Sequence, residues 1–375
     1  MRIALVHDQL HEFGGAERVL FALKKIYPDA PVYTAFVTRE RLRRFSPESV
    51  NWEIHESFAS KIPFIHRLYS PLRFLAPLIW ESFDFSGYDL VVSSSGWYMC
   101  KGIPSRASGQ TKPIHICYLH HPPRYLYGYE TAVEWQKYWP VKLYAHIVNH
   151  FLRMWDYESS QRPDYFIANS RETQSRISKF YRRKSFVIYP PVDIPAEVGR
   201  GKKEVRDYYI TVSRLQKAKH VEILIKAANK RKFSLKIVGE GKDREYLESI
   251  SGPTVEFLGR VSDSEFDQLY AGAKAFLFAS RDEEFGIAPV EAMGYGVPVV
   301  AYASGGLLET IKQGKNGFLF SKLTPESLLD SLKQLNDLSL REYEVMCKAA
   351  RAHARKYSYE RFRREITTYI NKMIR

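Results

Sequence analysis

Short apolar runs alternate with longer amphipathic stretches along almost the whole chain, and this alternation is the strongest constraint on its fold. In the first half we predict strands at 3–7, 90–93, 114–119, 165–168 and 186–189. In the second half we predict strands at 209–212, 235–238, 255–258, 275–278 and 297–301. Strands that alternate with helices form parallel sheets covered by helices on both faces. The pattern therefore predicts an α/β fold with doubly wound sheets.

The amphipathic stretches between these runs have the period of helices. In the first half they predict helices at 16–26, about 133–161 and 171–180. In the second half they predict helices at 221–230, 243–250, 264–271, 286–294, 307–312, 325–335, 341–354 and 359–373. No repeat with a period of roughly 20 to 50 residues is visible, which argues against a solenoid.

The length of 375 residues exceeds that of most single domains, so we expect two. The segment 190–206 is rich in proline and charge and has a poor apolar pattern, as expected of a linker. We predict one domain over 1–195 and a second over 205–357. Doubly wound sheets bind ligands at the carboxyl ends of their strands, so two such sheets that face one another would hold a ligand in the cleft between them.

Composition and charge exclude some classes of protein. The longest apolar run, at 74–80, is far shorter than the roughly 20 residues that a membrane helix needs. The first residues resemble a strand rather than a signal peptide, and the three cysteines lack metal-binding spacing, so we expect a cytoplasmic protein. The net charge of +14 favours anionic partners, although basic side chains can also serve solubility alone.

An acidic turn follows one predicted strand of the second half and opens a helix. Its carboxylates Glu283 and Glu291 are eight residues apart and could hold hydroxyls on two parts of one elongated ligand. The backbone N–H groups of Phe285, Gly286 and Ile287 would begin the helix, where they favour an anion or an oxygen-rich ligand. In the alternative interpretation, the glutamates only complement the helix dipole and face solvent.

Arg214 and Lys219 follow the first strand of the second half, at a spacing that suits a diphosphate. Each charge-assisted contact to phosphate contributes roughly 1.5–3 kcal/mol. No Asp-x-Asp follows a predicted strand, so we expect no metal ion, and the two cations with backbone amides would neutralise the phosphates. A basic surface turn is the alternative.

Two weaker signals lie in the first half. Gly14 and Gly15 follow the first strand, and paired glycines at such a turn let the backbone approach a phosphate closely. They lack the third glycine of a dinucleotide-binding fingerprint, so a nicotinamide cofactor is weakly supported. His120 ends the strand at 114–119, where a histidine can act on a substrate or cap a turn.

Taken together, these segments resemble glycosyltransferase family 4, retaining enzymes with two Rossmann-like domains that face across a cleft, the GT-B architecture. The family's acidic motif matches Glu283 to Glu291, and its phosphate-binding Arg and Lys match Arg214 and Lys219, although His220 stands where a glycine often follows. The first half most resembles O-antigen mannosyltransferases and related polysaccharide enzymes. The matching segments, which cover nearly the whole chain, are VHDQL, GGAERVL, GYDLVVSSS, YLHHPPRYLY, RMWDYESSQRPDYFIANS, VIYPPVD, FLGRVSD and FGIAPVEAMGYGVPVVAYASGG.

The resemblance implies transfer of a hexose from a nucleotide-sugar donor, which we expect to be GDP-mannose, with a UDP-sugar as the alternative. No metal and no further cofactor are implied. The implied catalytic residues are His120, Arg214, Lys219 and Glu283. The implied donor-binding residues are Gly14, Gly15, Val261, Asp263, Phe285, Gly286, Ile287 and Glu291.

Each of these residues has an implied role. The Gly15 amide, with the two cations, would hold the diphosphate, while His120 would lie over the transferred sugar. Glu291 would bind the ribose. Val261 would contact the base through its backbone, and Asp263 would accept a hydrogen bond from a guanine edge. The family also implies that the last helix, 358–375, crosses back to the first domain.

The acceptor side is less defined by the sequence. The implied acceptor is a glycan or a lipid-linked molecule, and Trp97, Tyr98 and Lys101 are candidates for its contacts. Residues 61–80 mix basic and large apolar side chains, with prolines that prevent one long helix. They could meet an anionic membrane surface, which would make the protein peripheral on the inner face of the cell membrane. A lid on the same domain and a subunit contact are the alternatives.

Other functions are distinguishable by their requirements. A nucleotide-sugar epimerase of the same fold would convert the donor without an acceptor, and a sugar phosphorylase would need inorganic phosphate and no nucleotide. A non-catalytic nucleic-acid-binding or lipid-binding protein could use the net charge of +14. No RNA-binding signature interleaves aromatic and basic residues on one strand, so we expect no nucleic-acid partner.

Overall fold

A computed structural model describes residues 1–104, 112–131, 138–196 and 207–374. The chain divides into two compact units. Unit 1 comprises Met1–Tyr129, Trp135–Pro191 and Glu360–Arg375, and unit 2 comprises Glu130–Glu134 and Val192–Tyr359. The predicted linker at 190–206 lies largely in 197–206, outside the described residues.

Unit 1 is built on a parallel sheet in the order β3-β2-β1-β4-β5-β6-β7. Its strands are β1 (Ile3–His7), β2 (Val32–Thr34), β3 (Ile54–Glu56), β4 (Leu90–Ser95), β5 (Ile114–Leu119), β6 (Tyr165–Ala168) and β7 (Phe186–Val187). The strand order reverses between β1 and β4, so the loops after these two strands diverge and leave a crevice in which such sheets bind ligands. The predicted strands are confirmed. The sequence pattern missed β2 and β3, which are too short for an alternation to show.

Helices cover this sheet. They are α1 (Gly15–Ile26), α2 (Arg39–Phe45), α3 (Ile65–Leu68), α4 (Ala76–Glu81), α5 (Arg124–Tyr127), α6 (Trp139–Ser159) and α7 (Arg171–Tyr181). The start of the predicted helix at 133–161 lies partly outside the described residues, and α6 carries the rest of it. Prolines divide 61–80 into short pieces, as predicted, because each removes a backbone donor.

The last helix, α15 (Tyr359–Ile374), packs on unit 1. Phe362, Ile366 and Ile370 recur every four residues and are buried, which is the pattern of one helix face against a core. Phe362 approaches Tyr118 of β5, with ring centroids 6.1 Å apart. In the described residues, neither this helix nor any other is long and apolar enough to cross a bilayer.

Unit 2 repeats the strand order of unit 1, as β10-β9-β8-β11-β12-β13. Its parallel strands are β8 (Tyr208–Val212), β9 (Leu235–Val238), β10 (Val255–Gly259), β11 (Ala273–Phe278), β12 (Val299–Tyr302) and β13 (Gly317–Phe320). Its helices are α8 (Val221–Arg231), α9 (Arg244–Ser249), α10 (Asp263–Ala271), α11 (Ile287–Gly294), α12 (Leu307–Thr310), α13 (Pro325–Asn336) and α14 (Leu340–Ala354). The reversal here lies between β8 and β11. Both units are therefore Rossmann-like, as predicted.

Candidate functional site

The residues predicted from the sequence follow the carboxyl ends of the parallel strands, most of them at or next to the reversal point of each sheet, whereas Val261 and Asp263 follow the edge strand β10. In unit 1 they follow β1 (Gly14, Gly15), β4 (Trp97, Tyr98, Lys101) and β5 (His120). In unit 2 they follow β8 (Arg214, Lys219), β10 (Val261, Asp263) and β11 (Glu283, Phe285, Gly286, Ile287), with Glu291 on α11. The loops after β1 and β4 in unit 1, and after β8 and β11 in unit 2, thus border the crevice of their own sheet.

In unit 2 the structure brings Lys219 and Glu283 together, although they lie far apart in the sequence. Lys219 Nζ donates a hydrogen bond of 2.6 Å to Glu283 Oε2. Ser280 Oγ, in the turn after β11, donates to the same oxygen at 2.7 Å and lies 3.4 Å from Lys219 Nζ. A cation and an anion are therefore held side by side, both partly exposed, at the reversal point of the sheet.

The acidic turn is held by the loop after β12. The backbone N–H of Asp282 donates to Ser304 Oγ at 3.0 Å, and the carbonyl of Glu283 accepts a 2.8 Å hydrogen bond from the N–H of Gly306. Gly305 has a φ of +55°, and a Cβ there would overlap the Glu283 carbonyl oxygen. The turn that carries Glu283 is therefore fixed by backbone packing against a glycine pair.

The helix that follows the acidic turn starts as predicted. Gly286 precedes α11 with a φ of +86°, and Ile287 is its first residue. Phe285 is buried, and its ring centroid lies 5.2 Å from that of Tyr357. Glu291 is half-buried on α11. The amides at 285–287 and the Glu291 carboxylate are therefore carried by one short helix and its preceding turn.

The loop after β8 has its own backbone support. Arg214 is exposed, whereas the neighbouring Leu215 is fully buried and anchors the loop. Gly239, with a φ of +133°, packs so closely on this loop that a Cβ would overlap the carbonyl oxygen of Ser213. The sequence Gly239-Glu240-Gly241, which lacks the third glycine of a dinucleotide-binding fingerprint, thus shapes the loop that carries Arg214.

His220 occupies the position at which the family often has glycine. Its φ is +48°, a left-handed conformation that glycine adopts without strain. Its ring nitrogens lie 3.2 Å from Glu222 Oε1 and 2.8 Å from Glu130 Oε2. The hydrogen bond to Glu222, followed by that to Glu130, raises the pKa of His220 despite its partial burial. Two carboxylates therefore stabilise the strained residue beside Lys219.

The loop after β10 carries the two residues predicted to contact a base. Val261 is half-buried. Asp263 is the first residue of α10, but its side chain lies outside the described residues, so its predicted hydrogen bond stays a prediction. Ser262 precedes the helix, and its N–H donates a 2.7 Å hydrogen bond to Glu265. This capping box sets where the helix begins.

In unit 1 a chain of buried side chains links the glycine turn to His120. The N–H of Gly14 donates to Glu17 Oε2 at 2.7 Å, and Glu17 Oε1 lies 3.5 Å from His7 Nε2. His7 Nδ1 lies 3.1 Å from Ser94 Oγ, which is 2.7 Å from His120 Nε2. A hydroxyl has one proton and two lone pairs, so Ser94 can donate to one imidazole while it accepts from the other. The network connects the ends of β1, β4 and β5.

The loop after β4 is held by one carboxylate. Asp8 Oδ2 accepts hydrogen bonds from the N–H groups of Gly96 at 2.8 Å and Tyr98 at 2.9 Å, and Oδ1 accepts from Cys100 at 2.8 Å. Asp8 is buried, so these three donors replace the water that an ionised carboxylate would otherwise bind. The loop beside His120 is therefore rigidly anchored.

The structure buries two of the three residues predicted for the acceptor side, which argues against that role for them. Tyr98 and Lys101 are completely buried, and Lys101 forms an ion pair with the equally buried Asp156. Their position after β4 is as predicted, but the chain turns back into the core there, so neither side chain is available to a ligand. Trp97 is half-buried and stacks on Tyr98, with ring centroids 5.5 Å apart. Its acceptor-side role stays a prediction.

Sequence reasoning missed the residues that connect the predicted ones. These are Ser280, which bridges Lys219 and Glu283, and His7, Glu17 and Ser94, which lead to His120. A signal was present, because His7 ends the otherwise apolar strand β1 and Ser94 lies in the run of three buried serines that ends β4. Such residues point either to a hydrogen-bond partner or to a ligand.

Sequence comparison gives matches to each half. Residues 13–195 match the profile described as Glycosyltransferase Family 4, and residues 196–353 match that of Glycosyl transferases group 1. Sulfoquinovosyl transferase SQD2 of Arabidopsis thaliana is 27% identical over 72% of this chain and 54% of its own length. Alpha-1,3/1,6-mannosyltransferase alg2 of Schizosaccharomyces pombe is 29% identical over 43% of this chain and 41% of its own. The chain spans about half the length of such curated relatives.

Structural comparison covers the whole chain. HepE of Anabaena, solved in complex with UDP-glucose, superposes with a TM-score of 0.72 over 99% of this chain and 100% of that one, at 21% sequence identity. At this identity the likeness establishes the fold alone. The two profile matches together extend over residues 13–353, and the fold is that of GT-B enzymes. The chain belongs to glycosyltransferase family 4.

Proposed function

We propose that this protein transfers a hexose, with retention of configuration and without a metal ion, from a nucleotide-sugar donor to a glycan or a lipid-linked acceptor. The proposed role is in the assembly of cell-surface polysaccharide or glycolipid. The observation that carries the proposal is the cluster of Lys219, Ser280 and Glu283 at the reversal point of the unit 2 sheet. We place the protein in the cytoplasm, peripheral on the inner face of the cell membrane.

Lys219 and Arg214 would take up the charge of the leaving diphosphate. The bond between the sugar C1 and the diphosphate oxygen breaks, and a bond from C1 to the acceptor hydroxyl oxygen forms on the same face. A leaving phosphate oxygen takes the hydroxyl proton. The Lys219 ammonium already lies 2.6 Å from a carboxylate oxygen, so it is positioned as a hydrogen-bond donor before the diphosphate arrives. A charge that is already positioned stabilises the transition state more than a charge that must first be reoriented in water.

Glu283 would order the hydroxyls of the donor sugar. Its Oε2 accepts from both Lys219 and Ser280, which fixes the carboxylate group. A carboxylate has about four lone-pair positions, so it can accept several hydrogen bonds at once, as the binding of sugar hydroxyls would require. The amides at 285–287 and the Glu291 carboxylate are assigned to the same donor, and the loop with Val261 and Asp263 to its base.

For unit 1 we propose that His120 contacts the transferred sugar and that the Gly14-Gly15 turn contacts phosphate. Ser94 would set which ring nitrogen of His120 carries the proton, since it hydrogen-bonds to Nε2 at 2.7 Å. His7 and Glu17 continue that chain to the glycine turn. The network therefore gives His120 a fixed orientation, which a sugar contact requires.

GDP-mannose is the proposed donor, supported by the resemblance of the first half to polysaccharide mannosyltransferases and by the relative alg2, named as a mannosyltransferase. A UDP-sugar is the second candidate, because the HepE structure contains UDP-glucose. The test is incubation of the full chain with a panel of nucleotide sugars in EDTA, with nucleotide release and thermal stabilisation as readouts. We expect GDP-mannose to give both. Thermal stabilisation by UDP-sugars alone would contradict the GDP-mannose assignment and indicate a UDP-sugar donor.

A variant series tests the assignment of the cluster. Glu283→Ala should lower turnover by about 10²–10³-fold, as removal of one positioned polar group at an active site does. The matched control is Glu326→Ala, because Glu326 is an exposed glutamate of the same unit, paired with Lys230. Near-normal turnover of Glu283→Ala, with a melting temperature equal to that of the control, would remove Glu283 from the site. Donor conversion without acceptor would indicate an epimerase instead.

A further inference from the structure

Helix α6 presents several large apolar side chains to solvent rather than to the core. The residues it buries are mostly small or polar: Ala145, Asn149, Leu152, Asp156 and Ser159. On the opposite side lie Leu143, Ile147, Phe151 and Met154, which are 55%, 50%, 64% and 60% exposed. Their spacing of four, four and three residues places them on one stripe of the helix. We call this stripe the α6 apolar face.

The surroundings of this stripe are basic. Lys142, His146, His150 and Arg153 are exposed on α6, and no Asp or Glu occurs over 138–155. The acidic residues of the last turns are Asp156, which is buried, and Glu158. A row of large apolar side chains beside cationic ones is the pattern of a helix that lies in a lipid interface.

A second apolar and basic segment adjoins α6. The Arg73 guanidinium donates two hydrogen bonds of 3.1 Å to Asn149 Oδ1 of α6, and Tyr144 OH donates to the carbonyl of Pro71. Residues 58–80 contain no Asp or Glu. The large apolar side chains exposed in this segment are Phe58, Phe64, Leu68, Phe74 and Leu78.

We propose that the α6 apolar face docks on an anionic lipid bilayer, with residues 58–80 as its neighbour. This extends the membrane contact of 61–80 to a helix that the sequence analysis did not implicate. The proposal rests on the proposed function only for its biological purpose, because vesicle binding can be measured without donor or acceptor. Apolar side chains would enter the headgroup boundary while Lys142 and Arg153 meet lipid phosphates.

Charge selects a lipid surface over a second copy of this chain. Over 58–80 and 138–155 the chain carries five Lys and Arg residues and no Asp or Glu. A symmetric dimer through this surface would bring the same cations of both copies together, since a two-fold interface places one patch against itself. Anionic headgroups would instead neutralise them. The charge pattern therefore complements phosphate-bearing lipid.

The test is co-sedimentation of the full chain with vesicles of phosphatidylcholine alone and of phosphatidylcholine mixed with phosphatidylglycerol, without donor. We expect binding to the mixed vesicles that weakens as salt is added. The variant Ile147→Gln/Phe151→Gln should bind at least about tenfold more weakly, because it removes apolar area that would be buried in lipid. Both positions are exposed, so the fold should persist.

The matched control is Leu340→Gln/Val345→Gln on α14, two positions that are also strongly exposed. This control should bind like the unsubstituted chain. Equal binding of neutral and anionic vesicles, or unchanged binding of the α6 variant, would overturn the proposal. So would a dimer in light scattering that the α6 variant abolishes, since a second copy would then cover the face. Glycosyl transfer in the same preparations reports on the proposed function separately.

Discussion

Replacing Lys101 with methionine distinguishes a buried structural cation from a residue that contacts an acceptor. Lys101 Nζ forms an ion pair with Asp156, and neither side chain is exposed. Asp156 also accepts a hydrogen bond of 2.6 Å from Tyr127 OH, and the ammonium lies 5.1 Å from the ring centroid of Tyr181. Methionine retains the length of the apolar stem. The substitution therefore leaves Asp156 buried without its cation.

Breaking a buried pair by removing one partner costs about 3–5 kcal/mol, because the remaining charge is desolvated. For a unit of this size, the melting temperature should fall by roughly 6–20 °C. The double variant Lys101→Met/Asp156→Asn removes both charges but keeps an acceptor for Tyr127, so most of the loss should be regained. In the control Arg44→Met, the exposed pair with Glu40 is lost, at a cost below about 1 kcal/mol.

The assay is thermal unfolding of the full chain, followed by nucleotide release at a temperature at which every variant is folded. Turnover of the double variant should stay within about twofold of the unsubstituted chain, because the Lys101 side chain is enclosed with Asp156 in the core. An unchanged melting temperature combined with lost turnover in Lys101→Met would refute the reasoning. It would return Lys101 to the acceptor side.

Three further substitutions test the network and two histidines. Ser94→Ala should lower kcat about tenfold and shift its pH profile while KM for the donor changes little, because His120 loses its orienting hydroxyl. The melting temperature should fall by several degrees, since a buried hydroxyl that serves two histidines is lost. An unchanged pH profile would make Ser94 merely structural. Protonated His220 adds stability that is fully present below pH 6.5 and is lost as pH rises through its raised pKa. In urea titrations, the free energy of unfolding of His220→Gly relative to the unsubstituted chain should therefore be higher at pH 8 than at pH 6, and relief of backbone strain should add about 1 kcal/mol to it at both pH values. The opposite trend would contradict the assigned partners. Burial lowers the pKa of His115 to about 3, so only the unfolded chain binds that proton between pH 6.5 and 3, and His115 should contribute a fall of about 2 kcal/mol to the free energy of unfolding from pH 6.5 to pH 5. His115→Gln should make the total fall smaller by about that amount, and an equal fall in both proteins would show that His115 does not contribute to it.

The order of strands and helices was largely predictable from the sequence. Buried parallel strands have largely apolar sequences, so β1, β6 and β12 stand out from their surroundings. The strands β2 and β3 did not, because three residues carry no period. The short helix α2 was also missed, since five of its seven residues are charged.

The sequence predicted which functional side chains follow the strands, but it did not predict which of them contact one another. Lys219 and Glu283 each follow a predicted strand, so their location at the carboxyl ends of the strands was expected, where such sheets bind ligands. The hydrogen bonds that Ser280 makes between them were not expected, because they depend on how the two loops pack against one another. The same applies to Ser94, whose hydroxyl could serve two histidines only once β1, β4 and β5 were neighbours.

Strand alternation, the acidic turn and the basic loop were sufficient to identify two Rossmann-like units and the family, because these features are local in the chain. The sequence did not reveal which side chains are buried, because burial depends on what the rest of the fold covers. A helical period reveals that α6 has an apolar stripe, but only packing shows that the stripe faces outward while Asp156 faces inward. For the same reason, only the folded unit shows that Lys101 is enclosed with its partner instead of facing a ligand.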